Sequence, residues 1–339
     1  MGFIVLVLAV DVVAGTHAVL IGFLTLAPLF AAAVDAPRRT ALVSAAASTA
    51  AVAAGLPNGL LGSLDHLLRV AVVITVSLMA VYVARARTAR EERLRRMTEI
   101  ARVTQAAILR EMPRQAAGVA LAARYVSAQE GAGVGGDLYE AVADRGRLRL
   151  IVGDVRGNGL AAVRLAAAVT GAFRQSAIIR SDLVQVARDL DGLVGRESSP
   201  AHVATFVTAV LVELHDAGIR IVNCGHPAPI LRRRTGDLAE LGPSPPDRPL
   251  GLGGVRRPGA VDRWEVGDRL LLHTDGMVEA RDGAGRFFPM SALGTCLAEP
   301  TVHECLVAVW TAVHRHVGGA PHDDIALLLA ERLPAVPDA

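Results

Sequence analysis

The apolar residues of this chain are unevenly placed: residues 2–34 and 40–84 hold almost all of the excess that makes it 52% hydrophobic. A bilayer core of ~30 Å takes about 20 apolar residues as helix, so these stretches restrict the first quarter of the chain to membrane-spanning helices. Residues 2–34 exceed one span and fall short of two. The polar interruption from Asp11 to His17 reads as a loop between a clipped first span and a full one near 17–34. Residues 40–57 form a weaker span and residues 67–84 (LLRVAVVITVSLMAVYVA) the clearest one, three or four in all. A secretory leader is the competing reading, but no cationic segment precedes the first stretch and more spans follow it. Pro37-Arg38-Arg39 and the run after Ala84 (RARTAREERLRR) are basic, whereas GLPNGLLGSLDH is not. The positive-inside rule then makes this a multi-pass cell-membrane protein with everything after residue 85 in the cytoplasm.

The rest of the 339 residues reads as an ordinary globular sequence. All 35 basic residues are arginine, so neither a Walker-type phosphate lysine nor a Schiff-base amine is available. A net charge of +2 without a basic run interleaved with aromatics argues against a nucleic-acid partner. Cys224, Cys296 and Cys305 lack CxxC spacing, which disfavours zinc and a disulfide framework.

From Arg87 to Met112 the chain is charged and rich in helix formers, with Pro113 as its stop. Leu94, Met97, Ala101, Thr104 and Ile108 recur at 3,4,3,4 spacing, the seam of a short coiled coil. A signal helix forming a homodimer through residues 94–108 is one reading, and a solvated amphipathic helix the other. After Gly118 the pattern changes to strands near 119–127, 136–143, 147–154, 204–214, 218–224, 228–234, 268–274 and 324–331. Helices are expected at 159–178, 183–195, 290–298 and 301–317, and turns at Asp216-Ala217-Gly218 and Thr235-Gly236-Asp237. Antiparallel strands with helices in two blocks predict an α+β or layered α/β/β/α domain.

Four aspartates stand at strand ends: Asp137 and Asp323 open strands, Asp154 and Asp275 close them. In an antiparallel sheet the start of one strand lies beside the end of its neighbour, so the four can gather on one rim. Gathered carboxylates raise one another's pKa, and divalent cations remove that cost. Oxygen donors without His or Cys favour Mg²⁺ or Mn²⁺, two of which can activate water against a phosphate.

The loop GDVRGNG (153–159) fails as a calcium loop, because Arg156 would fill position 3 and Leu165 position 12. It also lacks the dinucleotide spacing. GGDLY (135–139) departs from the diguanylate cyclase signature at Leu138 and Tyr139. No histidine lies between His66 and His202 to serve as a kinase phospho-acceptor.

VGGDLYE, GDVRGNGLAAV, NCGHPAPIL, PLGLG, LLLHTDGMVEARD and HDDIALLL occur in the order found in bacterial PP2C-like (PPM) metal-dependent serine/threonine phosphatases of the sporulation and stress-response type. The chain resembles that family over roughly 118–332. The resemblance implies a PP2C-like β-sandwich flanked by helices, preceded here by transmembrane helices and a signal helix. It implies two Mn²⁺ or Mg²⁺ ions held by Asp137, Asp154, the Val155 backbone carbonyl, Asp275 and Asp323, with Asp324 sharing the role or lying behind it. The implied reaction is hydrolysis of phosphoserine or phosphothreonine by a water activated between the metals, on a phosphorylated STAS-type anti-sigma factor antagonist.

Where many relatives carry a loop histidine this chain has Arg156 or Asn158, so no general acid is visible. Arg156 is either a phosphate contact or a solvent-facing turn residue. His226 reads as a structural turn residue, Cys224 as core and Glu279 as orienting its segment. The expected parts are a membrane region (1–84), a linker (85–117), a phosphatase domain (118–332) and a tail (333–339). The competing functions are a membrane nucleotide cyclase and a non-catalytic receptor built on the same fold.

Overall fold

Strands of alternating apolar residues bury both faces only when covered on both sides, and the strands after residue 118 are covered in that way. The computed structural model describes residues 21–56, 63–109, 111–127, 135–197, 205–215, 218–243, 245–254, 256–259, 263–319, 321 and 323–334, with Val5, Val7 and Val10. The loop expected at Asp11–His17, the Asp216-Ala217 turn and most of the 333–339 tail lie outside the described residues. The chain divides into two compact units, Met1–Arg96 and Met97–Ala339.

In the first unit a 3-10 turn (Ile21–Thr25) leads into α1 (Leu26–Val34), α2 (Pro37–Ala53) and the start of α3 (Leu64–Ile108). Its buried residues are small: Ala47, Ala50, Ala51 and Ala54 pack with Ile21, Leu24 and Val73, and Ala32 packs with Ala80 and Ala84. Phe23, Phe30, Leu42, Leu68, Leu78 and Tyr82 are exposed. Among the described residues one helix, Leu64–Met97, is long and apolar enough to cross a membrane, and Ile21–Val34 is a shorter apolar segment. The expectation of three or four spans is therefore met by one qualifying helix. Helix α2 has 17 residues and begins with Pro37-Arg38-Arg39, so it is too short and too polar at its start to qualify. Helix α3 runs through residue 85 without a break and stops at Ile108, five residues short of Pro113.

The second unit is a sandwich of two antiparallel sheets. One has the order β1-β2-β10-β9-β7-β8, formed by Gln115–Ala116, Val119–Val126, Ile325–Arg332, Arg269–His273, Ile230–Arg232 and Leu238–Glu240. The other is β3-β4-β5-β6, formed by Leu138–Asp144, Arg147–Val155, Val207–His215 and Gly218–Cys224. Leu148, Leu150 and Val152 of β4 meet Leu270, Leu272, Ala326 and Leu328 between the sheets. Ile151 and Val155 face the other way, onto α4 (Leu160–Ile179) and α5 (Leu183–Glu197). On the far side, Leu271, Leu327 and Leu329 pack against α6 (Asp275–Val278), α7 (Leu293–Cys296) and α8 (Val302–Val317). Each fully buried Leu, Ile or Val contributes about 1.5–3 kcal/mol, so the three cores hold the α/β/β/α layers together. Helix α8 starts in a capping box, Thr301 with Glu304, and ends at left-handed Gly318. The expected strands and long helices appear within a few residues. Strands β1 and β8 and the single turn α6 were not expected.

Candidate active site

Strand register assembles the acidic rim. Leu138 faces Gly153 across β3 and β4, so the next pair outward is Asp137 and Asp154. Asp154 in turn lies opposite Thr208 of β5. In the other sheet Ile325 faces Val126, which brings Asp324 beside the end of β2, and Leu327 faces His273, which sets Asp275 just past the end of β9. Asp137 and Asp324 are buried, Asp154 and Asp275 half-buried, and Asp323 exposed. The set therefore runs from the sheet ends out to solvent.

The buried members are held by groups that the sequence did not single out. The Thr274 hydroxyl donates to Asp137 Oδ2 (2.9 Å) and accepts from the Ala326 N–H (2.9 Å), joining the two sheets at the site. Tyr125 donates its hydroxyl to Asp324 Oδ2 (2.6 Å), Ser127 to Oδ1 (3.3 Å) and the Gly135 N–H to Oδ2 (2.8 Å). A Cβ on Gly135 would stand 2.1 Å from that same Oδ2, and one on Gly276 would stand 2.1 Å from the Asp324 carbonyl oxygen. These glycines of VGGD and TDG are there because the backbone passes against Asp324. The signal for Thr274 was its place immediately before Asp275. Tyr125 gave none, because its partner is 199 residues away.

The electrostatics follow from this crowding. Burial, opposed by the Thr274 hydrogen bond and reinforced by the charges of Asp154, Asp324 and Asp275, holds Asp137 well above the carboxylate range. Asp154 is raised to about 7 by burial and then by Asp275, Asp323 and Asp324. Asp275 is raised by burial and then by Asp323 and Glu279. Burial and the Asp324 charge push the Tyr125 hydroxyl up as well, so it stays a donor.

Asp137, Asp154 and Asp275 thus each feel the charge of neighbouring carboxylates. Yet among the described residues no three His, Cys, Asp or Glu side chains stand close enough to enclose one ion. The donor set fits hard divalent cations in charge and element, since it offers only oxygens and a surplus of negative charge. The Val155 carbonyl lies at the same rim, 2.6 Å from where a Cβ on Gly136 would stand.

Arg156 is exposed. Its N–H donates to the Phe206 carbonyl (3.0 Å) and its guanidinium stacks over the Phe206 ring at 5.2 Å. Glu279 is exposed one turn after Asp275 and donates its N–H to the Asp275 carbonyl (2.7 Å). Buried His226 follows β6. Its Nε2 lies 3.0 Å from the His273 carbonyl, to which it donates, so Nδ1 accepts from the Thr208 hydroxyl at 3.1 Å. Burial, then the His273 charge, lowers its pKa to about 3. Its backbone is fastened to the Asn223 side chain in both directions. His226 is a neutral bolt between the sheets. Leu138 and Tyr139 of GGDLY face the two cores of the sandwich, so that stretch is the entry to a strand.

Residues 144–333 match the family model for Stage II sporulation protein E (SpoIIE). The structure resembles the RsbU and RsbW domains of a Mycobacterium tuberculosis protein, with 25% identity and a TM-score of 0.55 over 65% of this chain. The chain spans 61% of that relative's length. It also resembles the SiaA-PP2C domain of Pseudomonas aeruginosa, with 20% identity and a TM-score of 0.58 over 73% of this chain and 99% of that one. A third likeness is the catalytic domain of the serine/threonine protein phosphatase PstP in complex with two manganese ions, with 18% identity and a TM-score of 0.50 over 64% and 99% of the two chains. The chain belongs to the SpoIIE family and carries a PP2C-type serine/threonine phosphatase domain.

Proposed function

We propose that the chain is a membrane-anchored protein serine/threonine phosphatase that hydrolyses phosphoserine or phosphothreonine on a STAS-type anti-sigma factor antagonist. The observation that carries this reading is the rim of five aspartates at the ends of both sheets, of which Asp137, Asp154 and Asp275 are raised by burial and by neighbouring carboxylates. Asp137, Asp154, Asp275 and Asp323, with the Val155 carbonyl and Asp324, would hold two Mn²⁺ or Mg²⁺ ions. Those ions, when bound, supply charge neutralisation and an activated water for in-line attack at phosphorus. The protein's own part is to fix the carboxylates: Thr274 orients Asp137, and Tyr125 and the Gly135 N–H orient Asp324. Arg156, stacked on Phe206 two residues after Asp154, would contact a phosphate oxygen.

Membrane anchoring is supported by the inverted packing of the first unit, which buries alanine and exposes Phe, Leu and Tyr. Small residues at helix contacts with large apolar residues outside is the pattern expected in lipid. Arg87 donates to the carbonyls of Ala33 and Asp35. This sets the 35–39 turn level with residue 87 and gathers the basic residues at one end, the cytoplasmic one.

The test is full-length protein in detergent, assayed on p-nitrophenyl phosphate and on a phosphorylated STAS protein, with Mn²⁺ or with EDTA. Phosphate release that depends on the metal and is lost in Asp154→Ala with Asp275→Ala is expected. Release that survives full chelation sinks the two-metal reading.

A further inference from the structure

We propose that the groove between α2 and α3 is a binding site for one anionic glycerophospholipid, its acyl chain lying along the groove and its phosphate at the Arg85 end. This rests on the membrane reading above. The groove has a volume of about 450 Å³ and runs past Ala45, Ser48, Ile74, Leu78 and Tyr82 to Arg85. That volume lies within the range of ordinary ligand sites.

Its floor is already satisfied. The Ser44 hydroxyl donates to the Ser77 carbonyl (3.3 Å), and the Ser48 hydroxyl reaches Ser77 Oγ (3.4 Å). The hydroxyls therefore bond across the helix pair and leave an apolar surface for an occupant. A water-filled polar cleft would instead show donors facing the space.

The charge at one end selects the headgroup. Arg39 pairs with Asp35 (3.8 Å), and Arg87 is taken by the 33–35 carbonyls and by Glu91 (3.6 Å). Arg85, at the groove, and Arg38, one turn before groove-lining Ala41, have no ion-pair partner among the described residues. Tyr82 sits beside Arg85 at the level where an aromatic ring meets the headgroups. Arg85 at one end of the apolar groove, with Arg38 one turn before its lining residue Ala41, matches one phosphodiester with a hydrocarbon tail.

The experiment uses the full chain in mild detergent, exposed to phosphatidylglycerol or phosphatidylcholine and weighed by native mass spectrometry. The wild type is expected to retain one phosphatidylglycerol roughly 30-fold more tightly than phosphatidylcholine, the effect of two arginines beside an anionic headgroup. Arg38→Gln with Arg85→Gln should abolish that preference. Ala45→Phe, at an exposed position that fills the groove, should weaken retention of both lipids. Equal retention of the two lipids, a preference that survives loss of both arginines, or a second copy of the chain in the groove seen as a dimer mass would overturn the proposal. Membrane fractionation without detergent separates the two readings. A membrane-bound chain with no lipid preference sinks the groove alone, and a chain in the soluble fraction sinks both.

Discussion

Ionisation of Asp154 is opposed by burial and by the three neighbouring carboxylates, which together raise its pKa to about 7. The folded state then keeps a proton that the unfolded chain releases near pH 4. The stability this group contributes is present below about pH 4 and is lost as the pH rises through about 7, each pKa unit being worth about 1.4 kcal/mol. In EDTA at pH 8, Asp154→Asn should therefore melt above the wild type although it is inactive, and the gap should narrow at pH 5 and close below about pH 4. Thermal denaturation decides this; a variant that melts no higher at pH 8 would show that repulsion at the rim is not destabilising. Thr274 gives the complementary case. Thr274→Val leaves Asp137 and the Ala326 N–H without their partner, at a cost of about 1–3 kcal/mol. The concentration of Mn²⁺ needed for half-maximal activity should rise, and Thr274→Ser should restore it. The aspartates were legible in the sequence because strand ends announce themselves. Thr274 and Tyr125 gained their roles only when two sheets closed, which no local pattern encodes.

Each sheet carries an Arg–Glu pair across neighbouring strands, fully buried in one sheet and partly buried in the other, and each pair ties down the helices above it. In the four-stranded sheet Arg149 faces Glu213. Its Nε donates to Glu213 (2.7 Å), and its remaining nitrogens donate to the carbonyls of Ala177, Arg180 and Ser181 at the end of α4. In the six-stranded sheet Arg269 faces Glu331. It donates to Glu331 (3.0 Å) and to the carbonyls of Leu297, Glu299 and Pro300, between α7 and α8. A planar fork with five donors can serve a carboxylate and several carbonyls at once, and an ammonium cannot. Arg149→Lys should accordingly cost roughly 3 kcal/mol in denaturant unfolding, close to loss of the pair, rather than behave as a conservative change. Wild-type stability in that variant would show the fork to be dispensable. At this scale apolar alternation made the long strands legible. Strands β1 and β8, with two and three residues, are too short to show a period, and α6 is a single turn set by Thr274 and Asp275.

The apolar stretches at the start of the sequence marked off the first unit, but they could not count its helices, because α2 is built of residues that suit a helix contact as well as a lipid face. The beginning of the second unit was equally hard to read, since the 3,4,3,4 seam of the charged linker ends at Ile108 and no period after it shows where packing starts. In the structure Leu109, Met112 and Ala116 pack on the core between the sheets. Strand β1 pairs with β2, and the Leu121 N–H donates to the Arg114 carbonyl (2.9 Å). A fragment beginning at residue 118 removes all of these, whereas one beginning at Met97, where the unit itself begins, keeps them. Burying three apolar side chains in part is worth a few kcal/mol, and in a domain of this size about 1 kcal/mol moves the melting temperature by roughly 2–4 °C. Fragment 97–339 should therefore stay in solution without detergent and melt at least about 5 °C above fragment 118–339, with Mn²⁺ present in both. Scanning calorimetry measures the gap. If the two melt together, residues 109–117 are a passive tether; if they separate, the linker is part of the catalytic fold, and strain on it reaches the sheets that carry the aspartates.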